Sequence, residues 1–165
     1  MNVLIFSDSH GRAKNIEEVL ARQTERAEAV IFLGDGLRDL DRIDTGDSEL
    51  YCVRGNCDTF SPFYDEEEQV VFLGGIKIFI AHGHRYLVKS GCTSIAEKAL
   101  RIGADIVMFG HTHTPLSLRV EKGQKIGDTV AEKPLYIFNP GSVAEGCFGT
   151  LTIRSGKILL NNAYL

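Results

Sequence analysis

Tryptophan is missing from the chain, methionine occurs twice and proline four times. No apolar run approaches the roughly 18 residues needed to cross a bilayer. The opening MNVLIFSDSH has no basic start, and its apolar run stops too soon for a signal peptide, so a cytoplasmic protein with no membrane association is expected. Basic residues are also in short supply: 18 Lys and Arg against 22 Asp and Glu give a formal charge of -4. A protein that grips nucleic acid needs a basic face for the phosphates, so no stable nucleic-acid binding is expected unless bound cations reverse the sign locally. The four cysteines, Cys52, Cys57, Cys92 and Cys147, form no CxxC pair, which speaks against zinc-ribbon and thioredoxin-type sites. Free thiols in a reducing compartment are expected instead. Several catalytic motifs are absent too: there is no Walker-type phosphate loop and no GxSxG elbow. GDGLRD begins like a dinucleotide loop but has Asp39 where the third glycine belongs, and DLDRI, with no strand before it, reads as a solvated helix face.

What is present fits one domain spanning 1–165, large enough to bury a core, with 44% hydrophobic residues. NVLIF (2–6) and AVIFL (29–33) read as buried strands. Between them, RAKNIEEVLARQTER places Ile16, Val19 and Leu20 on one helical face. GLRDLDRI reads as a short helix and ELYCV as a third strand. QVVFLGGIKIFIAHG predicts two strands joined at Gly74-Gly75, followed by a helix in CTSIAEKALRIG and a strand in DIVMFG. After Pro115 only strands are predicted, at 116–121, 134–138, 148–154 and 157–163, in pairs flanking KGQK and RSGK. The first two-thirds is thus α/β and the last third all-β.

The polar residues fall in a pattern. All five histidines, His10, His82, His84, His111 and His113, follow apolar strand-like runs, as do Asp8, Asp35 and Asn56. Open α/β sheets bind ligands beyond the carboxyl ends of their strands, so these residues should converge on one edge. A lone Asp after a strand is ordinarily a helix cap, and an isolated His ordinarily lies on the surface. Independent structural roles would nevertheless scatter the histidines, so a metal site is expected, with His84 outside the ligand set. Imidazole, carboxylate and amide oxygen suit Mn, Fe, Zn, Ni or Co. Asp8, His10, Asp35, Asn56, His82, His111 and His113 are too many for one tetrahedral zinc. They suit two ions about 3.5–4 Å apart sharing a bridging carboxylate.

The ordered elements D-x-H (Asp8, His10), GD (Asp35), GN-x-D (Asn56, Asp58), H (His82) and GHTH (His111, His113) resemble the calcineurin-like metallophosphoesterases. HGH, GHTHTP and NPGS (Asn139 to Ser142) make the chain most similar to the small phosphodiesterase branch, which includes the retromer small subunit, a protein-binding relative. The resemblance implies a four-layer α/β sandwich, two mixed sheets face to face with helices outside. It implies one ion on Asp8, His10, Asp35 and His113, and another on Asp35, Asn56, His82 and His111, with Asp35 as the bridge. Two divalent ions are implied, manganese first, with nickel, iron, zinc or cobalt as other fits. The implied reaction is in-line attack of a metal-bridging hydroxide on a small phosphodiester. A phosphomonoesterase and a protein-binding scaffold of the same fold are the competing readings. The sequence leaves the oligomeric state open, with a homodimer through exposed strands as one candidate.

The catalytic candidates beyond the ligands are Asn56 itself, Cys57, Asp58 and His84. The wider family usually has GN-H-[DE], so the resemblance puts Cys57 where a proton-donating imidazole would stand, with Asp58 left to orient it. A thiol of pKa about 8.5 is a poor substitute near neutral pH, so turnover should favour good leaving groups. His84 either donates to a phosphate oxygen or supports its loop. Arg12, Arg54 and Arg85 lie within two or three residues of ligands and read equally as substrate contacts or as surface arginines, while Ser142 reads as structural, in a loop fixed by its Pro-Gly turn.

Overall fold

The computed structural model describes residues 1–58 and 65–165. Its first six strands are β1 (Asn2–Phe6), β2 (Ala29–Phe32), β3 (Glu49–Cys52), β4 (Glu68–Leu73), β5 (Ile76–Ala81) and β6 (Ile106–Met108). The others are β7 (Leu116–Val120), β8 (Lys125–Ile126), β9 (Thr129–Val130), β10 (Leu135–Asn139), β11 (Cys147–Arg154) and β12 (Lys157–Tyr164). One five-stranded sheet has the order β12-β11-β1-β2-β3 and another the order β4-β5-β6-β10-β7. Both are mixed. β1, β2 and β3 run parallel in the first, β5, β6 and β10 in the second, with antiparallel strands outside them.

Alternation along the strands builds the layers. Val3 and Ile5 of β1 pack with Ile78 and Ile80 of β5 and Phe138 of β10 in a core between the sheets. Leu4 and Phe6 point the other way, onto Ile16 and Val19 of helix α1 (Ala13–Arg22) and Leu37 of helix α2 (Leu37–Leu40). Phe79 and Ala81 of β5 pack on Ile95 and Ala99 of helix α3 (Thr93–Arg101). The result is the expected helix, sheet, sheet, helix stack.

Gly74 and Gly75, at φ 54 and 81, form the tight turn joining β4 to β5, a backbone that residues with a Cβ adopt only with difficulty. KGQK behaves differently from expectation. It does not join two long strands: β7 and β10 pair antiparallel, but the small β8–β9 hairpin is inserted between them. No helix among the described residues is long and apolar enough to cross a membrane.

Candidate metal centre

The parallel strands deliver the candidate donors. Asp8 and His10 follow β1, Asp35 follows β2, and Asn56, Cys57 and Asp58 follow β3. His82 and His84 follow β5, and His111 and His113 follow β6. Hydrogen bonds tie neighbouring loops within each sheet, Asp8 N–H to Gly34 O and Gly110 N–H to His82 O, and His111 N–H reaches across to Asp8 Oδ2 of the other sheet. Five of these residues, Asp8, His10, Asp35, His111 and His113, have left-handed backbones with φ of 56, 44, 59, 64 and 60. Such a conformation costs a non-glycine residue on the order of 1–3 kcal/mol and gathers at functional sites. Among the described non-glycine residues, only Leu87 and Ser155 share it.

The donor atoms form three overlapping groups: Asp8, His10 and His113; His10, Asp35 and Cys57; and Asp35, His82 and His111. Within each group they lie within 4.8 Å of one another. His10 Nε2 stands 3.2 Å from His113 Nε2, and His82 Nε2 stands 3.2 Å from His111 Nδ1. His82 Nδ1 is 2.7 Å from Leu33 O and donates there, which directs Nε2 toward Asp35 Oδ2 at 3.4 Å. Asp8 is fully buried; its Oδ2 accepts from the Ser7 hydroxyl (2.5 Å) and His111 N–H (3.0 Å), while Oδ1 has no partner. A buried carboxylate oxygen without a donor, beside pairs of imidazole nitrogens only 3.2 Å apart, is an arrangement a cation resolves. The Leu33 contact is the outer support that fixes a ligating imidazole. These residues therefore fit divalent ions.

Asn56 is exposed, and its Nδ2 donates to Cys57 Sγ at 3.2 Å, leaving its carbonyl oxygen for a cation. Burial opposes ionisation of Asp35, but the hydrogen bond and charge of His82, with the Cys57 N–H, outweigh it and hold the carboxyl well below its usual range. Burial raises the pKa of Asp8. Burial, then Asp35, pushes the Cys57 thiol up. Burial and the neighbouring His82 push His84 down, favouring a neutral ring; its Nδ1 is buried without a partner.

The surrounding residues divide between those that act otherwise than the sequence suggested, Asp58 and Asp39 first among them, and those that act as expected. Asp58 is a clamp: Oδ2 accepts from Asp35 N–H (2.7 Å) and Gly55 N–H (2.9 Å), and Oδ1 from Gly36 N–H (2.8 Å) and Leu37 N–H (2.9 Å). With both oxygens so engaged, it ties the loops of Asp35 and Asn56 together and is not held ready to orient a side chain at position 57. Asp39, expected on a solvated face, is buried and accepts from Ser9 Oγ (2.5 Å) and Gly11 N–H (2.9 Å), on either side of His10. Arg54 pairs with Asp65 and Glu67, and Arg85 pairs with Glu67. Arg12 heads helix α1 and is exposed. Ser142 Oγ donates to Asp8 O (2.8 Å), which suits a structural role. Sequence reasoning passed over Asn139, whose buried Nδ2 donates to Gly110 O and Thr112 Oγ1, bracing the GHTH loop.

A sequence profile of the calcineurin-like phosphoesterase superfamily domain matches residues 1–155. The chain belongs to that superfamily. It is 32% identical over 143 residues to the probable metallophosphoesterase YsnB of Bacillus subtilis, covering 87% of this chain and 75% of YsnB. The structure of a protein described as a novel archaeal phosphodiesterase matches at TM-score 0.71 and 22% identity, covering 99% of this chain and 100% of the other. Vps29 of Entamoeba histolytica, solved in complex with zinc, matches at TM-score 0.71 and 22% identity, covering 99% of each chain. Those two likenesses speak for the fold. Membership of the calcineurin-like phosphoesterases makes the chain a phosphoesterase-type hydrolase of a metal-dependent family, with candidate ligand groups for divalent ions.

Proposed function

We propose that the chain is a dinuclear metal-dependent phosphodiesterase acting on a small phosphodiester. Asp8, His10, Asp35 and His113 hold one ion, and Asp35, Asn56, His82 and His111 the other. The observation that carries this reading is the chain of overlapping donor groups: His10 links Asp8 and His113 to Asp35, and Asp35 also belongs with His82 and His111, a position from which one carboxylate can bridge two ions. Manganese fits this mixture of donors, and nickel, iron, zinc or cobalt fit as well. When bound, such ions supply positive charge for the phosphoryl oxygens and acidify a water enough to attack phosphorus in line near neutral pH.

The protein's own residues set the rest. Ser7 and the His111 N–H orient Asp8, Leu33 O orients His82, and Asp58 and Asp39 hold the loops, so little reorganisation accompanies reaction. His84, favoured neutral, keeps one ring N–H to donate to a phosphoryl oxygen. Arg54 and Arg85, which could have met a second phosphate charge, are matched by Glu67, and this favours a singly charged diester over a monoester dianion. No imidazole stands at position 57 to protonate the leaving group, so good leaving groups are preferred. A protein-binding scaffold of the same fold gains nothing from five strained, convergent ligand backbones.

The test strips the protein with a chelator and offers an aryl phosphodiester and the matching monoester, with Mn²⁺ or Ni²⁺ restored. Metal-dependent turnover, faster on the diester, is expected. No turnover with any of the metals would contradict the proposal.

A further inference from the structure

Cys57 is the one exposed cysteine among the described residues; Cys52 and Cys147 are buried and Cys92 is half-buried. Its Sγ, a His10 ring nitrogen and an Asp35 carboxylate oxygen all lie within 4.8 Å of one another. His10 also belongs to the group of Asp8 and His113, and Asp35 to that of His82 and His111, so the sulfur stands at the junction of the two. Cys57 is also held there. Its N–H donates to Asp35 Oδ1 at 2.8 Å, and Asn56 Nδ2 donates to Sγ at 3.2 Å. An independent observation points to a cation beside this group: the fully buried Asp8 Oδ1, which accepts no hydrogen bond, lies 3.8 Å from His10 Nε2 and 3.3 Å from His113 Nε2. Zinc–sulfur bonds of about 2.3 Å and zinc–nitrogen bonds of about 2.0 Å are within reach of donors so grouped after small side-chain shifts.

We infer that Cys57 is a sulfur ligand of this centre, joining His10 and Asp35 around an ion and biasing the site toward thiophilic metals such as zinc, cobalt and cadmium. The inference rests on the metal reading above and adds a donor that reading leaves out. Ligation forms one sulfur–metal bond and releases the thiol proton to solvent, with no change of oxidation state. The other ligands are hard or borderline, so the sulfur alone shifts selectivity toward soft ions.

Cadmium titrated into chelator-stripped protein, followed by ultraviolet absorption, tests this. A thiolate-to-cadmium charge-transfer band should appear and saturate in the wild type and in Cys92→Ser, and be absent in Cys57→Ser and Cys57→Ala. Zinc affinity should fall at least about tenfold in Cys57→Ser, with manganese affinity nearly unchanged. A full band persisting in Cys57→Ser, or no band from fully occupied wild type, would overturn the inference. Either result leaves the phosphodiesterase reading standing, because that reading is judged by manganese-dependent turnover of the wild type. Conversely, a Cys57-dependent band in a protein without turnover would sink only the phosphodiesterase.

Discussion

His82 and His111 share Asp35, yet their protons behave oppositely. Burial penalises the His82 cation, but the hydrogen bond to Asp35 and the charges of Asp8 and Asp35 outweigh it, so its pKa lies above the usual 6.5. His111, desolvated and facing His82, is pushed down to about 4. Near neutral pH, His111 is therefore ready to ligate, while His82 holds its proton to higher pH than an ordinary imidazole and gives it up on binding an ion. Metal affinity should rise as pH climbs above 6.5, by up to about tenfold per unit, and level off once His82 is neutral. Calorimetry in two buffers of different ionisation enthalpy counts that proton. Release near one per ion at the His82 site is expected at the lower end of this range, falling toward zero as pH rises, and binding without pH dependence would contradict the assignment.

At the scale of the element, the site depends on loops that two carboxylates tie down. Asp58 gathers four backbone N–H groups from the loops after β2 and β3. Replacing it leaves those donors without their charged acceptor, so Asp58→Ala should cost at least about 2 kcal/mol in urea unfolding and weaken metal binding as well. Unchanged stability with lost activity would instead point to a direct chemical role. This part of the site was least legible beforehand. GN-x-D marks Asp58 as a functional position, but one sequence does not say whether a carboxylate meets a side chain or several amides. Asp39 is harder still: its partners, Ser9 and Gly11, lie on another strand's loop, so no local pattern announces the contact. The candidate donors were easier to read, because each of them closely follows an apolar strand.

For the molecule as a whole, the strand runs and the change from α/β to all-β were readable because parallel strands buried on both faces are continuously apolar. The pairing of two sheets face to face was not written in any single segment; it follows from which faces of β1 and β5 meet, and the family resemblance supplied it. The β8–β9 insertion escaped notice because strands of two residues carry no periodic signal. This architecture sets the ends of three parallel strands from each sheet against one another, and we propose that Asp35, with His10 and Cys57 on one side and His82 and His111 on the other, serves two ions at once. The most direct test of that claim adds Mn²⁺ stepwise to chelator-stripped protein while bound metal and aryl phosphodiester hydrolysis are measured together. Activity should saturate at two ions per chain, and Asp35→Asn should abolish it with both affinities weakened. Saturation at one ion, or full activity in Asp35→Asn, would contradict a shared dinuclear centre.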